Sequence, residues 1–155
     1  RSTRDPLAEL RGDLEKGLIT SETRLMIEAN YCVDTGHKAL TVRHNPEKYR
    51  DMAQQLQKAV AITFEGWRVS TVVNEHEWSA PASGDTSAQG PEGQLPLGAF
   101  EVDLTWELDG GARKVELHSK LRSRKFPDTF GMLSSVVKLV GTHAEALLAK
   151  GGEEQ

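Results

Sequence analysis

The chain has a single cysteine, Cys32, in 155 residues, and one thiol cannot close an internal disulfide. That removes the disulfide-stapled secreted scaffold as a class and points to an intracellular, reducing compartment, with the cytoplasm as the first expectation. Long apolar runs are missing too. A bilayer-spanning helix needs roughly 18 to 20 apolar residues, whereas Ala59-Val60-Ala61-Ile62 is short and Val136 to Val140 is interrupted by Lys138; no direct membrane insertion is expected. Positive charge is in deficit, with 19 Lys and Arg against 23 Asp and Glu and a net charge of -4. Such a chain lacks the broad basic field that holds phosphate backbones, so nucleic acid is not expected as a partner. Nor is there a Ser/His/Asp signature or a Gly-rich phosphate loop, and no cofactor is implied. The first residues, Arg1-Ser2-Thr3-Arg4, carry no Met. They fit the processed end of an organellar transit peptide, which makes an organelle the alternative location.

What is present suffices for one domain. At 37% hydrophobic residues the chain can build one core, and it is too short for two ordinary domains. Asp5 to Gly17 reads as a short helix, with Asp5 as cap, Pro6 at the first helical position and Leu7, Leu10 and Leu14 as a docking stripe. Arg24 to Tyr31 alternates as a strand, with Leu25, Ile27, Ala29 and Tyr31 on one face and Met26, Glu28 and Asn30 on the other. Asn45-Pro46-Glu47 starts an amphipathic helix carrying Tyr49, Met52, Ala53, Leu56, Val60 and Phe64 and ending at Gly66. Trp67, Val69, Thr71 and Val73 predict a half-buried strand ending near Glu75. Between Ser79 and Pro96, Ser, Gly, Pro and Ala displace the periodicity, as in a long surface loop.

Phe100, Val102, Leu104, Trp106 and Leu108 alternate up to Asp109-Gly110-Gly111, and Val115, Leu117 and Ser119 alternate on the way back, which predicts a β-hairpin. Asp128 or Thr129 caps a last helix whose apolar stripe is Phe130, Leu133, Val136, Val137, Val140, Ala144, Leu147 and Leu148. The order predicts an α/β fold: a thioredoxin-like β-α-β-β-β-α core around a mixed four-stranded sheet, with an added N-terminal helix. Residues 1–23 are then an extension, 24–150 the domain with an insertion at 79–96, and 151–155 a polar tail.

Four stretches together resemble a known family. Tyr31-Cys32-Val33-Asp34-Thr35-Gly36-His37-Lys38 is similar to the Tyr-Cys-x-x-Cys-Gly-Tyr-Lys motif, with selenocysteine in some members, that follows the first strand of the selenoprotein W-like (Rdx) family. Gly98-Ala99-Phe100-Glu101-Val102, Leu117-His118-Ser119-Lys120 and Phe126-Pro127-Asp128-Thr129 resemble that family's Gly-x-Phe-Glu-Val strand start, its return strand and its Phe-Val-Asp-Thr helix entry. The resemblance runs from Ile27 to Leu148 with gaps. It implies a thioredoxin-like fold and, for typical members, a thiol redox role. Here, however, Thr35 stands where the family has its second cysteine, and a hydroxyl can neither resolve a mixed disulfide nor form a bridge. The expectation is therefore a redox-degenerate member, more a protein-interaction or structural subunit of a larger assembly than an enzyme. The enzyme alternative is a monothiol oxidoreductase in which Cys32 meets glutathione or a client protein.

Candidate residues follow from this. Cys32 is the one possible nucleophile, set in a motif loop of Thr35, Gly36, His37 and Lys38, although Asp34 disfavours its thiolate. A metal cluster of Cys32, His37 and His44 lacks regular ligand spacing and a second cysteine, so no metal is expected and the histidines read as surface or hydrogen-bonded groups. Interface candidates are Leu7, Leu10 and Leu14, Trp78 at the mouth of the long loop, and Arg122, Arg124 and Lys125 in a basic connection that could meet an acidic surface. Of Trp67 and Trp106, at least one should be core.

Overall fold

The computed structural model describes residues 7–20, 22–33, 46–77, 95–96 and 98–143. The central strand, β1 (Leu25–Val33), keeps the predicted phase: Leu25, Ile27, Ala29, Tyr31 and Val33 are buried, and Met26, Glu28 and Asn30 are half-buried on the other face. Helix α2 (Pro46–Thr63) places Tyr49, Ala53, Leu56, Ala59 and Val60 on one side, three or four residues apart. Gly66 stops it at φ 85°, a conformation open to glycine, and the Trp67 N–H closes the turn on the Phe64 carbonyl at 2.9 Å. Strand β2 (Val69–Glu77) runs two residues past the expected end.

β3 (Phe100–Leu108) and β4 (Gly111–Ser119) form the predicted hairpin, with Leu108 opposite Gly111 and Asp109-Gly110 as the loop. Gly111 sits at φ 137°, where a side chain would be strained. The sheet order is β2-β1-β3-β4. β1 and β2 are parallel, as the α2 crossover between them permits, and the β1–β3 and β3–β4 pairs are antiparallel. This is an α/β fold with a mixed four-stranded sheet, compatible with a thioredoxin-like core plus an N-terminal helix. The inward residues of β1 and β3 share one apolar core with Leu56 and Val60 of α2 and with the last helix, α4 (Thr129–Gly141), so these helices cover one face of the sheet.

Three expectations change. The N-terminal helix α1 (Ala8–Glu15) is preceded by Leu7, and its leucines are not an interface: Leu7, Leu10 and Leu14 are 3%, 0% and 7% exposed in the chain's own core. Asp13, equally buried, accepts hydrogen bonds from Trp106 Nε1 at 2.9 Å and Arg113 Nε at 3.1 Å, while Arg113 Nη1 reaches Glu9 at 3.3 Å. The buried acid is thus paired, as burial demands. Trp106 is the core tryptophan, and Trp67 packs half-buried at its margin.

In α4, capped by the Asp128 carboxylate on the Gly131 N–H, the buried line runs through Thr129, Leu133, Val136 and Val140. Phe130 and Val137 were expected in that stripe, yet at 100° per residue they fall roughly 80–100° away from Thr129; Phe130 is 74% exposed. Ala144, Leu147 and Leu148 lie outside the described residues. The third change concerns the basic connection, which is no open loop. Lys120 to Ser123 form a helical turn, α3, that Arg124 closes at φ 69° through an N–H bond to the Lys120 carbonyl.

Candidate functional site

Tyr31 and Cys32 are neighbours on β1, so their side chains leave opposite faces of the sheet. The two environments differ accordingly. On the helix side Tyr31 stacks on Phe100 with ring centroids 5.6 Å apart and on Tyr49 at 6.3 Å, and Phe126 meets Tyr49 edge-on at 4.9 Å. Such ring geometries follow the quadrupole, edge to face or offset. Lys120 Nζ lies 5.3 Å from the Tyr49 ring and 5.1 Å from the Phe126 ring, and Lys48 Nζ lies 5.7 Å from Phe126, so ammonium groups close the cluster by cation–π contact.

The Tyr31 hydroxyl donates to Glu75 Oε1 at 2.8 Å. Arg50, from the first turns of α2, forks the same carboxylate through Nε at 2.8 Å and Nη2 at 2.9 Å, and its Nη1 reaches Glu47 at 3.1 Å. A bidentate guanidinium–carboxylate pair is among the stronger ionic hydrogen bonds. Its electrostatic mark is clear. The Arg50 hydrogen bonds, and then that from Tyr31, hold the Glu75 carboxyl down at about 2, against the opposing effect of partial burial. Burial first, then the Glu75 carboxylate, pushes the Tyr31 phenol up to about 12. Arg50 is raised mainly by its bond to Glu75. Tyr31 is held neutral, and α2 is tied to β1 and β2 at one corner.

On the other face Cys32 is 0% exposed, and Leu95 packs against it. Rather than following the strand, as the sequence suggests, the cysteine lies inside it, in register with His76 of β2. A polar ladder runs beside it. Asn74 Nδ2 donates to Glu28 Oε2 at 3.0 Å and Asn30 Oδ1 at 3.1 Å, and His76 Nε2 lies 2.8 Å from Asn30 Oδ1. Disulfide formation needs a second sulfur within about 2 Å of the attacking one, and a thiol buried in a strand cannot offer that approach without local opening.

Of the other predicted residues, Thr35, Gly36, His37, Lys38 and Trp78 lie outside the described residues. Arg122 is taken by Glu116, which accepts from Nη1 at 3.0 Å and also from Nη2. Arg124 and Lys125 are exposed, and the Lys125 carbonyl lies 2.8 Å from His118 Nε2. Sequence reasoning missed Tyr31, Arg50 and Glu75. The only local trace of them is Glu47 and Arg50 three apart at a helix start. Among the described residues no group of three or more His, Cys, Asp or Glu is placed to hold a metal ion, and no described helix is long and apolar enough to cross a membrane. No family model matches the chain, and no curated protein or solved structure gives a significant match.

Proposed function

We propose that the chain is a redox-degenerate relative of the selenoprotein W-like group, working as a protein-interaction or structural subunit of a larger assembly. The observation that carries this reading is the position of Cys32: fully buried within β1 under Leu95, in a sequence that has no second cysteine. Thiol exchange requires an accessible thiolate and a resolving thiol; burial opposes the first and the sequence lacks the second. Partners are other proteins, with no cofactor and no nucleic acid. The experiment is native alkylation. Iodoacetamide should label Cys32 slowly in the folded protein and quickly in denaturant, and Cys32→Ser should leave the set of co-purifying proteins unchanged. Rapid native labelling with an apparent pKa well below the free-thiol value of about 8.5 would sink the reading.

The monothiol alternative has one observation in its favour, the register pairing of Cys32 with His76 on the same face. An imidazole there could lower the thiol pKa once the strand end opens. A Cys32–glutathione adduct forming at neutral pH, and lost in His76→Ala, would establish it.

A further inference from the structure

The face of the sheet turned away from α2 and α4 carries an unusual row of charge. Glu28 stands directly opposite Asp103, and Asp103 opposite Glu116, so carboxylates occupy adjacent positions on three successive strands. Strands lie about 4.8 Å apart, and like charges placed directly opposite destabilise a sheet. Glu101 adds a further carboxylate one row on, opposite Asn30.

Among the described residues the row is answered by Lys114, whose Nζ lies 3.7 Å from Asp103 Oδ2, and by Arg122 on Glu116. The Asp103 carboxyl is raised by its burial; Lys114 pulls it back, and Glu28 and Glu101 push it further up. The same face holds a cleft of about 890 Å³ whose wall includes Leu95 and Pro96 beside Asn30 and His76, and which reaches Asp103 and Glu116. Lys114 is 65% exposed and Glu116 38%, so this end opens to solvent. Because the acids do not converge as a metal site, their charge is laid along a line rather than round a point.

We propose that this face receives an extended basic segment of a partner protein, with Lys or Arg side chains along the Glu28–Asp103–Glu116 row and an apolar residue in the cleft against Leu95. The proposal rests on the interaction-subunit reading and adds the chemistry of the partner. Opposite charge along the row would replace like-charge repulsion with attraction, and it would fix the register of the incoming segment.

The probe is a short, fluorescently labelled peptide of alternating Arg and Ser with one Leu, titrated against the full chain and read by anisotropy. Neutralising the row (Glu28→Gln, Asp103→Asn, Glu116→Gln) should weaken binding about tenfold. A control of equal net charge change at exposed positions outside the sheet (Glu15→Gln, Asp51→Asn, Glu65→Gln) should stay within about twofold. Melting curves of both variants establish that they are folded. Equal losses in the two variants would overturn the proposal, since the attraction would then be that of net charge alone. So would absence of binding, or self-association of the unliganded chain at low salt that the row variant abolishes, which would make a second copy the occupant. The underlying reading fails separately. Fast native alkylation of Cys32 would remove it without touching peptide affinity, and native partners retained by the row variant would overturn the basic segment while leaving a subunit in place.

Discussion

The two faces of β1 are built on opposite terms. One face sets rings, a neutral phenol and a bidentate ion pair against the helices; the other places Glu28 opposite Asp103 in the sheet and covers Cys32 with Leu95. Substitution should therefore have opposite signs on the two sides. Where side chains are close-packed, removing atoms costs transfer energy and leaves a cavity. Where like charges are opposed, removing a charge relieves the sheet.

The largest effect belongs to the buried side. Trp106→Ala deletes a ring that is 1% exposed and takes the Nε1–H donor from buried Asp13. It should cost about 3–5 kcal/mol, read as a lowered midpoint in urea; a loss under about 1 kcal/mol would mean that α1 does not depend on this contact. Leu10→Ala should cost about 2–5 kcal/mol, and an undiminished melting temperature would return the leucine stripe to the list of interfaces.

Next comes the corner at Glu75. Glu75→Gln keeps the size but removes the charge that Arg50 forks, and a loss of about 1.5–3 kcal/mol is expected for hydrogen bonds to an ionised group, toward the lower end because Glu75 is 38% exposed. The pH dependence follows from the same group. Its folded pKa of about 2 lies below the ordinary 4.5, so its stabilisation is present above 4.5 and drains away as pH falls toward 2. Tyr31 acts at the other end: raised to about 12 from 10.0, it contributes stability below pH 10 that is lost as pH rises toward 12. Denaturant midpoints across pH, compared with Glu75→Gln and Tyr31→Phe, separate the two limbs. An unchanged acid limb in Glu75→Gln would assign acid unfolding to other groups.

The smallest effect has the reverse sign. Glu28→Gln removes one of two directly opposed carboxylates while leaving an acceptor for Asn74, and should raise stability by about 0.2–1 kcal/mol. A decrease would show that Lys114 already balances the row and would erase the contrast between the faces.

Much of this frame was legible in the sequence because it depends on period. Alternation set which face of β1 and β3 is buried, and Asp109-Gly110-Gly111 between two alternating runs specified the hairpin. Periodicity could not tell where an apolar stripe is buried. Leu7, Leu10 and Leu14 would look the same on a docking helix as in the core they occupy, and the difference lies with Trp106 and Arg113, far along the chain. Phe130 was misplaced for a related reason, since a helix margin and its centre differ by one residue of phase. The depth of Cys32 depends on Leu95, and the Tyr31 network on partners from α2 and β2; neither is encoded by spacing near the motif.

The tie from Asp13 to Trp106 and Arg113 joins residues 93 and 100 positions apart. During synthesis, therefore, the amino-terminal helix leaves the ribosome long before the hairpin that holds it exists. Non-local closure of this kind slows folding and comes late, so α1, although made before the hairpin, should be among the last elements to gain hydrogen-exchange protection.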